Sequence, residues 1–135
     1  MKTIVDTGPL VAVLRKREKN HAWTREVFSR LRPPLYTCEA VITEATFLLG
    51  LNEKALVALR SMLQGEVLRI DFSAHTEHAA VFKLMSRYAS VPMSFADACL
   101  VRMSELAKPS QVITFDSDFR VYRRNGREVV PTLMP

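Results

Sequence analysis

The chain has 135 residues, of which 48% are hydrophobic and 24% charged, with a formal net charge of +5; this excludes a disordered or low-complexity chain and reads as one domain, residues 1–135, with its own core. Asp6 and Pro9 interrupt the apolar region a signal peptide would need, and no run nears the roughly 18 apolar residues of a membrane helix, so a cytoplasmic protein is expected. The basic balance favours polyanions such as nucleic acid without requiring one.

The first expected strand runs from Lys2 to Val5 and ends on Asp6. Gly8-Pro9 then fits a turn and the first position of a helix, where a missing N–H costs nothing. Leu10, Val11, Val13 and Leu14 form its stripe, and Asn20 is a suitable cap for a second helix with Trp23, Val27, Phe28 and Leu31 on one face. After Pro33-Pro34 comes a very short strand, Leu35-Tyr36. A third helix runs from Thr37 or Cys38 to about Gly50. The fourth is capped by Asn52 and stopped at Gly65. Val67–Ile70 reads as the third strand. Ser73 caps a fifth helix, and Ser94 opens a sixth that ends near Ala107. Val112 onward is a β-branched run without polar alternation, as in a strand covered on both faces. Asn125-Gly126 suits a hairpin turn leading to a last strand at Glu128–Leu133. Strands alternate with helices or helix pairs, the pattern of an α/β fold: a three-layer α/β/α sandwich around a mostly parallel sheet of about five strands.

Two of these strands run straight into acid, at Asp6 and at Asp116. The carboxyl ends of parallel strands are where α/β folds place their sites. Glu44 falls on or beside the apolar stripe of the third helix, between Val41 and Leu48; it needs either a cation or a polar cleft, and an edge-of-stripe glutamate reaching water is the plainer reading. Asp97, three residues after Ser94, fits a variant capping box, yet a helix start lies at the same rim. Asp118 either reaches the same site or caps the turn at Phe119, whereas Asp71 belongs to the entry of the fifth helix. Four gathered acids repel unless divalent cations neutralise them, and oxygen ligands suit Mg²⁺ or Mn²⁺. Two such ions can activate water against a phosphodiester. Zinc fits poorly, because His21, His75 and His78 share no ligand spacing with Cys38 and Cys99, which read as reduced core thiols.

The stretches Ile4-Val5-Asp6-Thr7-Gly8-Pro9-Leu10, Val41-Ile42-Thr43-Glu44-Ala45, Phe95-Ala96-Asp97-Ala98 and Ile113-Thr114-Phe115-Asp116-Ser117-Asp118-Phe119 carry a resemblance. In order and spacing they are similar to the PIN-domain family, and look most like its small VapC-type toxin ribonucleases. The resemblance spans nearly the whole chain. It implies an Mg²⁺- or Mn²⁺-dependent endoribonuclease, a hydrolase using metal-activated water, and possession of an antitoxin partner. It places catalytic and metal-ligand roles on Asp6, Glu44, Asp97 and Asp116, with Asp118 a secondary ligand and Thr114 and Thr7 in support.

Arg15, Lys16, Arg17 and Lys19, and Arg120, Arg123, Arg124 and Arg127, are expected to flank the acids and grip an RNA backbone; solvated helix ends and turns are the alternative. The Thr37–Gln64 helix pair carries more apolar residues than one core face absorbs, which predicts a homodimer or an antitoxin-bound assembly. Two other functions remain open: a non-catalytic RNA- or protein-binding module on the same fold, and a phosphatase. The latter lacks the second acid expected after the first strand, since Gly8 stands there.

Overall fold

The computed structural model describes all residues, 1–135. Its elements in chain order are β1 (Lys2–Val5), α1 (Thr7–Leu14), α2 (His21–Arg30), β2 (Leu35–Thr37), α3 (Glu39–Leu49), α4 (Glu53–Gln64), β3 (Leu68–Ile70), α5 (Ala74–Arg87) and α6 (Phe95–Leu106). There follow β4 (Ser110–Ile113), a 3₁₀ turn (Ser117–Arg120), β5 (Arg123–Arg124), β6 (Glu128–Val129) and β7 (Thr132–Leu133). A five-stranded sheet has the order β3-β2-β1-β4-β7, and every pairing in it is parallel. Helices cover it in an α/β/α arrangement, with α1 against α2 and α3, and α5 against α6. No helix is long and apolar enough to cross a membrane.

The central strands are apolar because both of their faces are covered: Ile4, Val5, Val112 and Ile113 are all essentially inaccessible. Leu10, Val41, Leu68, Val81, Leu100 and Val101 bring the flanking elements onto them in one core. The caps expected at Asn52, Ser73 and Ser94 all form, their side chains accepting from Ala55, Thr76 and Asp97 N–H. Asn20 instead caps nothing with its side chain; its carbonyl accepts from the Thr24 N–H and hydroxyl.

The C-terminal strand divides in two. Asn125-Gly126 does turn a hairpin, but β5 and β6 form a separate antiparallel pair. The chain then leaves the hairpin at Val130-Pro131, and β7 joins β4 in parallel, with the Pro131 carbonyl accepting from Val112 N–H at 2.8 Å.

Candidate functional site: an acidic rim held by hydrogen bonds

Strand register builds the rim. β1 and β4 pair Val5 with Ile113, so the next residues, Asp6 and Thr114, stand abreast at the strand ends. Thr114 Oγ1 donates to Asp6 Oδ2 at 2.6 Å, and Asp6 Oδ1 accepts from Thr7 N–H at 2.7 Å as the cap of α1. Thr114 Oγ1 also accepts from Asp116 N–H at 3.0 Å, which fixes the departure of the chain from β4. Asp116 caps the 3₁₀ turn, Oδ1 accepting from Asp118 N–H at 2.9 Å. Asp118 is therefore the donor of this cap and Asp116 its acceptor.

Glu44 and Asp97 come from helices that start at the same end of the sheet. Glu44 is exposed, and its Oε2 accepts from Thr7 Oγ1 at 3.0 Å across the α1–α3 contact. Asp97 takes its place in the cap of α6, its N–H bonded to Ser94 Oγ at 3.0 Å. Its carboxylate accepts from Tyr122 Oη at 2.8 Å.

The rim is electrostatically one unit. Burial pushes the Asp6 carboxyl up from 3.8 to about 6, assisted by Asp97 and Glu44 and opposed by its bonds to Thr114 and Thr7. Asp97 is raised by burial, then by Asp116 and Glu44, against the pull of Tyr122 and Ser94. Burial and the bond to Asp97 raise Tyr122 in turn. Tyr122 is the rim residue that the sequence conceals. It lies in a basic turn with no motif around it, yet it is wholly buried and packed edge-on to Phe119 and Tyr88, with centroids 5.1 and 5.2 Å away.

The donor chemistry of the four carboxylates suits a hard cation, but their placement does not. Each has an oxygen committed to a protein donor, and Asp6 has both. No group of three or more His, Cys, Asp or Glu side chains is arranged to hold a metal ion. The expected Mg²⁺ or Mn²⁺ site at Asp6, Glu44, Asp97, Asp116 and Asp118 is therefore corrected, and with it the expected metal-dependent ribonuclease: the acids share a rim without forming a ligand cage.

The basic candidates separate as well. Arg15 is spent on structure, donating to Leu48 carbonyl at 3.0 Å and pairing with Glu18 at 2.7 Å. Arg123 donates to the carbonyls of Arg120, Val121 and Tyr122. Arg124 donates to Ser104 carbonyl and Ser110 Oγ, at the start of β4 and so at the opposite end of that strand from Asp116. Lys16, Arg17, Lys19 and Arg120 are exposed.

The family model described as PIN domain matches residues 3–125. The chain belongs to the PIN-domain family. Among solved structures, Mycobacterium tuberculosis VapC20, described as a Sarcin-Ricin loop cleaving toxin, is similar in fold with a TM-score of 0.78 and 22% identity. That match covers 89% of this chain and 94% of the other. Comparison with curated proteins finds no significant match. The rim of this PIN domain thus rests on capped helix starts and threonine-held carboxylates.

Proposed function

We propose that this PIN domain is an RNA-binding module that engages RNA without metal-dependent hydrolysis. The observation that carries the reading is the set of exposed cations Lys16, Arg17, Lys19 and Arg120, none of which has a carboxylate within ion-pair distance. Unpaired surface cations are free to replace the counterions of a phosphate backbone. Lys16 and Arg17 follow Arg15, which is anchored one helical turn beyond Glu44, while Arg120 ends the turn that Asp116 begins. The fold neighbour described as cleaving a Sarcin-Ricin loop supports a nucleic-acid ligand for this fold.

Fluorescence anisotropy with single-stranded and hairpin RNAs, in excess EDTA, tests it. RNA is expected to bind, to be recovered intact, and to bind more weakly as salt rises. The double variant Lys16→Glu/Arg17→Glu is expected to lose about tenfold or more in affinity. Absence of saturable binding at low salt, or affinity indifferent to the double charge reversal, overturns the reading. So does cleavage that requires the Asp97 carboxylate.

A protein partner is a second reading, favoured by the apolar side chains that α3, α4 and their connection leave in water. Phe47 is 83% exposed, Leu51 100% and Val57 62%. We infer that this face meets a second copy of the chain or an antitoxin.

A further inference from the structure

The two cysteines of the chain are separated by 61 positions in sequence, and the fold brings them together. β1 and β2 pair Ile4 with Tyr36, which sets Cys38 abreast of Asp6 where β2 gives way to α3. Cys99 points inward from α6, two residues past Asp97. Both are buried and both are free thiols. They share one cleft of about 360 Å³, whose walls include Phe72, Phe95 and Glu44. The two thiols neighbour each other on the wall of this cleft. Cys38 holds the cap position of α3, with no side-chain cap hydrogen bond closed.

We propose that Cys38 and Cys99 are a peroxide-oxidisable dithiol that closes reversibly to a disulfide, tying the start of α3 to α6 beside the acidic rim. The two sulfurs are not equivalent. Cys38 stands at the start of α3 and Cys99 within α6, and a thiolate at a helix start is the nucleophile of the pair. Cys38 Sγ, having given up its proton, attacks one oxygen of hydrogen peroxide; the O–O bond breaks, and the departing hydroxide takes up that proton as water. Cys99 Sγ then attacks the sulfur of the Cys38 sulfenic acid. The S–O bond breaks, and hydroxide leaves with the Cys99 proton as a second water. Two thiols are oxidised by two electrons in total and one peroxide is reduced. The cleft that both residues line has room for a molecule as small as peroxide.

The test begins with the unmodified protein, so it does not depend on a variant folding. After brief peroxide treatment, denaturation and alkylation, intact mass is expected to fall by two hydrogens with neither cysteine alkylated. Reduction by dithiothreitol should restore both sites. Peptide mapping should join the Cys38 and Cys99 peptides within one chain. Full alkylation after peroxide, a link only between chains, or sulfonic acid without a disulfide overturns the proposal. In Cys99→Ser, Cys38 should accumulate a dimedone-trapped sulfenic acid, whereas in Cys38→Ser, Cys99 should remain unmodified. Equal or reversed reactivity of the two variants also overturns it.

Discussion

Asp6 is where sequence, burial and charge meet in one side chain. It ends a strand, caps a helix and is only 8% exposed. Its carboxyl is raised from 3.8 to about 6, chiefly by burial, so the folded state holds the proton more tightly than the unfolded chain does. Stability is therefore greatest below the unfolded value and falls as pH rises through about 6, a cost of about 3 kcal/mol by neutral pH for a shift of that size. Asp97, raised in the same direction, adds to the slope. Asp6→Asn is expected to flatten the decline in urea midpoint between about pH 4 and pH 7 relative to the parent; parallel profiles would show that burial of this carboxyl has no such cost. Asp97→Asn keeps the backbone cap on Ser94 and an acceptor for Tyr122, and it removes repulsion from Asp116 and Glu44. Its melting temperature should equal or exceed the parent's, and its RNA affinity should rise as a negative charge leaves the rim. Asp71→Asn, exposed and outside the hydrogen bonds that hold the four acids, should change neither. A lower melting temperature for Asp97→Asn would mean that the charge itself, not only the shape, serves the start of α6.

At the scale of elements, the start of α1 depends on a missing Cβ. A Cβ on Gly8 would lie 2.8 Å from Phe115 Cδ2 and 3.4 Å from Cγ, close to the root of a ring already packed on Trp23 at 6.0 Å. Alanine would gain about 1 kcal/mol of helix propensity but meets an overpacking cost of about 1–3 kcal/mol. Gly8→Ala is therefore expected to lower the melting temperature and to shift Trp23 fluorescence as Phe115 is displaced. An unchanged spectrum and stability would show that Phe115 moves freely. From the sequence Gly8 read as part of a turn; what holds the position is a contact with residue 115, which local pattern does not reveal. The strand–helix alternation was legible, and so were the caps at Asn52, Ser73 and Ser94, because each rests on neighbours in the chain. The division of the last strand was not, since the partner of β7 is β4, chosen by sheet position. The same limit parted the arginines: Arg120 and Arg124 are four positions apart, yet Arg124 is drawn to the start of β4 by Ser104 and Ser110. Asp6 and Asp116 were legible as strand ends and Asp97 as a helix start, whereas Glu44 stood out only beside the apolar stripe of α3. Their commitment to Thr7, Thr114 and Tyr122 depends on side-chain contacts across the sheet.

Over the whole molecule, the helix pair α3–α4 has a buried and an exposed apolar side. Val41, Ala45, Leu49, Ala55 and Leu59 are buried in the core. The other side leaves Phe47, Leu48, Leu51 and Val57 in water, with Phe47 and Leu51 the most exposed. Fully burying one such side chain yields about 1.5–3 kcal/mol, so matching two copies of this face supplies a driving force that scattered surface residues do not. A self-complementary contact repeats each side chain across a two-fold axis, and a single substitution therefore acts twice. Light scattering at tens of micromolar is expected to give a dimer for the parent protein and a monomer for Phe47→Glu and for Leu51→Glu. Because neither side chain lies in the core, both variants should keep the parent melting temperature when compared at concentrations where all are monomeric. A parent protein that is monomeric alone but dimerises or forms a larger assembly only with an added antitoxin would assign the face to that partner. A dimer that survives both substitutions would place the interface elsewhere and leave this apolar face without a role in self-association.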